Sequence, residues 1–204
     1  MTIAVTGPFA SGKSTFVRML GDLGAETVSS DEIVHDLLAT DEEAIATVVD
    51  RFGEQVRGER GIDRRLLARE VFGDAEALRD LEDILHPLVR RETGRRIEDS
   101  GAELFVAEIP LLFEGKRSGA FDHTVAVTVP EERRREWAEE RGVGEEQLRA
   151  IEERQLPGEE KAGRADFVVE NDGGLDRLEE QARYLQDRAL GGRSPNGDVR
   201  TQET

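Results

Sequence analysis

Gly7-Pro8-Phe9-Ala10-Ser11-Gly12-Lys13-Ser14-Thr15 decides how this chain folds. The apolar run Ile3-Ala4-Val5 precedes it. Phe16, Val17, Met19, Leu20 and Leu23 follow at helical spacing. The stretch reads G-x-x-x-x-G-K-[ST] between a strand and a helix, and that context turns a string match into a physical expectation. A phosphate chain needs many donors close together. A loop with glycine at both ends can curl its backbone N–H groups inward, and the following helix adds the unpaired donors and positive dipole end of its first turn. Gly7, Ala10, Ser11, Gly12, Lys13, Ser14 and Thr15 are therefore candidate phosphate-binding residues. Lys13 reaches the terminal phosphates and the Ser14 hydroxyl ligates Mg²⁺ in this reading. The plainer alternative is a glycine turn that merely joins strand to helix.

Outward from the loop, short apolar segments alternate with helical patterns. Glu26–Ser29, Leu104–Ala107, Thr124–Val129 and Phe167–Val169 read as further strands. Helices are expected from Ser30 or Asp31 through Leu38, from Glu42 to Phe52, from Arg64 to Phe72 with Asp63 as cap, and from Glu76 to Asp99 with a break or kink near Pro87. The charged span 131–164 shows two helical patterns around Gly142 and Gly144, and a last amphipathic helix follows the Asp172-Gly173-Gly174 turn. The fold class is α/β, a doubly wound five-stranded parallel sheet. The expected organisation is a single domain over residues 1–190, with a helical insertion at about 62–100 and a helical lid at about 131–164. Residues 191–204 are too polar to build a core and read as a disordered tail.

Ligands of such sheets bind at the carboxyl ends of the strands. Asp31 and Glu108 stand at two of those ends and Asn171 at a third. Glu108 follows Leu-Phe-Val-Ala, as a carboxylate that holds Mg²⁺ does; a strand-terminal acid facing solvent has the same pattern. Asp31 can accept the proton of an attacking hydroxyl, or Ser30-Asp31 can serve as a helix N-cap. Arg133, Arg134, Arg135, Arg141, Arg149, Arg154, Lys161 and Arg164 make the span after the fourth strand either a basic lid over phosphates or a solvated helical hairpin with Glu–Arg pairs.

Composition narrows the setting. Asp plus Glu number 45 against 28 Lys plus Arg, a net charge of −17. That surface repels nucleic acid and anionic membranes as partners. No run approaches the roughly 18 apolar residues of a membrane span, and the first strand leaves no room for a signal peptide. Cysteine is absent, so a disulfide framework or thiolate zinc site is excluded. The expectation is a soluble cytoplasmic protein, and a monomer, because no large apolar face is left over.

Several separated motifs together resemble the dephospho-coenzyme A kinase family of P-loop kinases. They are Thr6-Gly7 through Thr15, Ser30-Asp31, Ile62-Asp63-Arg64-Arg65-Leu66-Leu67 with Val71-Phe72, Leu85-His86-Pro87-Leu88, Glu108-Ile109-Pro110-Leu111-Leu112-Phe113-Glu114, and Gln155 with Lys161, Ala165–Val169 and Asn171. The resemblance implies ATP- and Mg²⁺-dependent phosphorylation of the ribose 3′-hydroxyl of dephospho-CoA. It implies that Asp31 is the catalytic base and that Arg64, His86, Pro110 and Leu111 lie on the acceptor side. It also implies that Arg141 and the region through Lys161 form the lid, and that Asn171 lies near the adenine. Ser29, His35, Trp137 and Ala10 depart from the residues common in the family, namely aspartate, arginine, arginine and glycine. A kinase for another small nucleotide or nucleoside, or a nucleotide-binding regulatory protein without turnover, are the alternatives.

The acidity carries its own expectation. High ionic strength screens self-repulsion, so a salt-adapted chain gains stability as KCl is raised. Thermal unfolding across a KCl series measures this, and a maximum at low salt would mark an ordinary acidic protein.

Overall fold

The computed structural model describes residues 1–172 and 174–191. Residues 192–204 of the expected tail, and Gly173 of the expected turn, lie outside the described residues. In chain order the elements are β1 (Thr2–Thr6), α1 (Lys13–Asp22), β2 (Glu26–Ser29), α2 (Ser30–Thr40), α3 (Glu42–Phe52), α4 (Arg64–Val71), α5 (Ala75–Asp99) and β3 (Phe105–Glu108). They continue with β4 (His123–Thr128), α6 (Glu131–Glu140), α7 (Glu145–Glu152), α8 (Gly158–Arg164), β5 (Phe167–Glu170) and α9 (Leu175–Leu190). The chain divides into two compact units, one of Met1–Val28 with Ser100–Thr204 and the other of Ser29–Asp99. The helical unit thus begins at Ser29 and takes in α2 and α3 as well as α4 and α5.

The first unit is built on a five-stranded sheet in the order β2-β3-β1-β4-β5. Its central strand β1 is buried on both faces, with Ile3, Ala4 and Val5 at 0% exposure. That is why it reads as an unbroken apolar run rather than an alternating one. β1 pairs in parallel with β3 and β4, and β4 with β5. The β1–β3 register sets Glu108 opposite Val5. A carboxylate consequently sits at the carboxyl edge of the sheet, two residues before the glycine loop begins. Phe16, Val17 and Leu20 of α1, with Leu178, Ala182 and Leu185 of α9, close over Ile3, Val5, Val106, Val125, Val127, Phe167 and Val169. Full burial of each large side chain contributes roughly 1.5–3 kcal/mol, which anchors α1 and therefore the loop that starts it.

The helical unit has its own core of Leu38, Val48, Phe52, Val56, Ile62, Leu67, Ala77 and Leu85. Its helices start where short polar side chains satisfy first-turn amides. Asp41 Oδ1 accepts from Ala44 N at 2.8 Å, and Asp63 Oδ1 from Arg65 N at 2.8 Å.

Two boundaries differ from the sequence reading. α5 runs unbroken through Pro87. The span 131–164 holds three helices instead of two: α7 ends at Glu152, and after a short link Pro157 stands at the N-cap of a further helix, α8.

Candidate active site

The loop between β1 and α1 takes a backbone shape that its glycines permit. Gly7 has φ 149° and Gly12 φ 86°. A Cβ on Gly7 would stand 2.3 Å from the carbonyl oxygen of Val127, and one on Gly12 2.1 Å from Asn171 Nδ2. At Gly7 the obstacle is backbone; at Gly12 a side chain would displace the Asn171 amide and strain a left-handed φ. Ala10 is also left-handed, at φ 59°, a conformation that costs an L-residue roughly 1–2 kcal/mol.

The hydrogen bonds divide the loop into a braced side and an open side. Asn171 Nδ2 donates to Ser11 O at 3.0 Å, and Gln155 Oε1 accepts from Phe9 N at 3.0 Å. Ser11 N donates to Pro8 O, and Lys13 Nζ donates to the same carbonyl at 2.8 Å. Among the described residues, no protein acceptor takes the amides of Ala10, Gly12, Ser14 or Thr15. The Ser11 hydroxyl is buried without a hydrogen-bond partner. Buried polar groups are almost always paired, so a set of uncommitted donors around one loop fits an anion. The amides of α1's first turn add the helix's positive end. A separate cleft of about 760 Å³, walled by Pro8, Thr128, Arg134, Gln155 and Glu170, includes none of Ser11–Thr15 and is not this cradle.

Ser14 and Glu108, singled out for magnesium, are brought together: Ser14 Oγ donates to Glu108 Oε1 at 2.9 Å. One hydroxyl and one carboxylate are hard oxygen donors, the kind Mg²⁺ takes while filling its remaining positions with water and substrate phosphates. No group of three or more His, Cys, Asp or Glu able to hold a metal occurs among the described residues. The donor set therefore fits a cation that arrives with a phosphate ligand.

Most of the basic residues of 131–164 fall into three kinds. Arg133, Arg135, Arg149 and Arg164 pair with glutamates three or four residues away, Glu136, Glu131, Glu145 and Glu160, as a solvated helical surface does. Arg134 is buried and held by Glu131 and Glu152. Burial opposes its charge, but the two carboxylates outweigh that and raise its pKa. Lys161, placed by the resemblance in the lid, is fully buried. Its Nζ donates to Pro110 O at 2.5 Å and lies 2.9 Å from Glu114 Oε1. Burial lowers its pKa, and the Glu114 carboxylate works against that shift.

Pro110 O also accepts from Thr6 Oγ1 at 3.2 Å, and Glu114 Oε1 from Leu156 N at 2.7 Å. Pro110, expected on the acceptor side, and Glu114 thus tie α8 and the link before it to the strand that feeds the loop. Leu111 is half-buried beside them. Arg141 differs from its neighbours. It is exposed, has no carboxylate partner among the described residues, and its guanidinium carbon stands 6.0 Å from the centroid of the Phe9 ring.

In the helical unit the cap of α2 is Ser29, not Ser30 or Asp31. Ser29 Oγ accepts from Glu32 N, and Glu32 Oε2 accepts from Ser29 N, both at 3.0 Å. This reciprocal box satisfies the helix start and leaves the Asp31 side chain exposed in the first turn, outside the capping role. Arg64 and His86 are exposed, on α4 and α5. Gln155 had no role assigned from the sequence. Its place in a motif that also contains Lys161 and Asn171 was the signal that could have found it.

The family model described as dephospho-CoA kinase matches residues 1–177. The dephospho-CoA kinase of Carboxydothermus hydrogenoformans is 38% identical over 184 residues, 88% of this chain and 89% of the relative. Among solved structures, TT1252 from Thermus thermophilus is 36% identical with a TM-score of 0.77, over 92% of this chain and 97% of that one. Dephospho-CoA kinase from Campylobacter jejuni is 27% identical with a TM-score of 0.68, over 94% and 98%.

Asn171→Ala removes the donor on which Ser11 O hangs. It is expected to cost about 1–3 kcal/mol of stability and to weaken Mg-ATP binding. Chemical denaturation and equilibrium nucleotide binding measure the two; unchanged binding would show that this brace does not shape the cradle.

Proposed function

Because this chain belongs to the dephospho-CoA kinase family, we propose that it transfers the γ-phosphoryl group of ATP to the ribose 3′-hydroxyl of dephospho-CoA, giving coenzyme A and ADP. The observation that carries this reading is the loop itself. Uncommitted amides at Ala10, Gly12, Ser14 and Thr15 stand beside the Ser14–Glu108 oxygen pair, within the residues that match the family.

In this reading Gly7 and Gly12 let the loop wrap the β- and γ-phosphates, and the inward amides hold them in one orientation. Lys13 exchanges the Pro8 carbonyl for phosphate oxygens and offsets the charge that accumulates as the γ-phosphorus moves. Ser14 and Glu108 would hold Mg²⁺, which supplies neutralisation of the phosphate oxygens when bound. The 3′-oxygen forms a bond to the γ-phosphorus, the bond from that phosphorus to the β–γ bridging oxygen breaks, and ADP leaves. Asp31 accepts the proton of the 3′-hydroxyl. Support for that role is its match to the family's catalytic aspartate and its release from capping by Ser29 and Glu32. Arg64, His86, Pro110 and Leu111 belong to the acceptor side by the same correspondence, and Arg141 to the phosphates. Asn171 acts on the nucleotide through the loop carbonyl it braces.

The proposal places the enzyme in the cytoplasm as a monomer. No helix of the described residues is long and apolar enough to cross a membrane. The net charge of −17 disfavours nucleic acid as a partner.

Pure protein with Mg-ATP and dephospho-CoA, assayed across a salt series, should yield coenzyme A and ADP in equal amounts. Phosphorylation of another nucleotide in preference to dephospho-CoA would sink the acceptor assignment. Asp31→Asn should lower kcat by about 10²-fold or more, the scale of a lost general base, with ATP affinity nearly intact. Parallel loss of ATP affinity would move Asp31 out of proton transfer.

A further inference from the structure

Two loop residues ahead of Ser11 pack against the lid helices of the same unit. Ala10 is 3% exposed and shares one apolar cluster with Ala138 of α6 and Leu148 of α7, and Phe9, Trp137 and Val143 pack against it. The methyl of Ala10 sits at a left-handed φ of 59°. Glycine would adopt that conformation without strain, so the loop carries a backbone cost at the point where it meets α6.

Trp137 and Arg141 are four residues apart at the C-terminal end of α6, a spacing that puts both on one side of the helix. Phe9, which packs against the same Ala10–Ala138–Leu148 cluster as Trp137, has its ring under the Arg141 guanidinium, 6.0 Å from centroid to carbon. Arg133, Arg134 and Arg135, earlier on this helix, are tied to glutamates. Arg141 has no such partner among the described residues, and its charge remains available to an anion.

We propose that Trp137 is a positioning residue for nucleotide binding. With Phe9 and Ala10 it forms an apolar clasp between α6 and the glycine loop, and that clasp holds the Arg141 guanidinium over the loop, where it meets the terminal phosphates of ATP. The clasp rests on the reading of the loop as the ATP site, and it adds what fixes α6 there. An arginine at the end of a three-turn helix would otherwise sample many orientations, each long side chain losing rotamer freedom when it is ordered. An apolar contact one turn earlier restricts the helix before the phosphate arrives. It draws on no charge, so it persists at salt concentrations that screen an ion pair.

The test is equilibrium binding of Mg-ATP to the full chain and to Trp137→Ala, Trp137→Phe, Arg141→Ala and the Trp137→Ala/Arg141→Ala double variant. Trp137→Ala should bind about tenfold more weakly, the scale of one charge-assisted hydrogen bond to phosphate. Trp137→Phe should stay close to the parent, since a smaller aromatic ring still fills the clasp. The double variant should bind no more weakly than Arg141→Ala alone, because the tryptophan acts through the arginine. Losses that multiply in the double variant, or a Trp137→Ala that binds as tightly as the parent, would overturn the proposal. Should Trp137→Ala fail to fold, Ala10→Gly removes the clasp methyl while relieving the loop strain. Weaker binding by that variant supports the clasp, and binding equal to the parent overturns it. A parent that binds Mg-ATP but does not phosphorylate dephospho-CoA would sink the acceptor assignment and leave the clasp standing. A parent that binds no Mg-ATP removes both.

Discussion

A loop that turns its amides inward to hold a ligand has to hang its carbonyls and remaining amides on something else. That constraint organises the sheet unit. Ser11 O is held by the Asn171 amide, which comes from the end of β5, and Phe9 N is held by Gln155, which comes from the link between α7 and α8. Gly7 is pressed against the carbonyl of Val127 on β4. Three separate parts of the chain therefore meet the outer side of a nine-residue stretch. A flexible glycine loop would lose much of its donor alignment to backbone entropy, at roughly 1–2 kcal/mol for each residue that ligand binding had to order. Bracing the loop beforehand moves that cost from binding into folding.

The same logic explains a lysine buried where a basic lid was expected. Two charges taken from water into an apolar site are costly unless their partners are well placed. Lys161 meets Glu114 and Pro110 O, Glu114 meets Leu156 N, and Pro110 O meets Thr6, the last residue of β1. The ion pair is a registry device. It ties α8 and the preceding link to the segment after β3 and to the strand that enters the glycine loop. Gln155, one residue before Leu156, carries that registry into the loop itself. The paired surface arginines contribute little to stability individually.

Strand and helix identities were legible because parallel strands buried on both faces read as unbroken apolar runs, and because Asp63, Gly53 and the glycine loop mark element ends through local chemistry. What misled was equally local. Pro87 suggested a break or a kink, and α5 continues through it without a break, while Ser30-Asp31 resembled a cap although Ser29 and Glu32 form a reciprocal one. The Ser14–Glu108 pair was foreseeable, since both lie at carboxyl-end positions fixed by strand register. The Gln155, Asn171 and Lys161 contacts were not. Each joins positions distant in sequence, and an amide or ammonium side chain does not announce which carbonyl it will meet.

By itself, the sequence determined that this chain makes a parallel sheet with a phosphate-binding loop, because spacing and residue type within about twenty positions suffice to specify strand, turn and helix. The fold alone decided which polar side chains are committed to the scaffold and which are left without a protein partner. Asn171 and Gln155 are spent on the loop and Lys161 on the segment after β3, whereas Arg141 has no carboxylate partner among the described residues. That division depends on burial and on long-range partners, quantities that exist only after the strands have paired and the helices have closed over them.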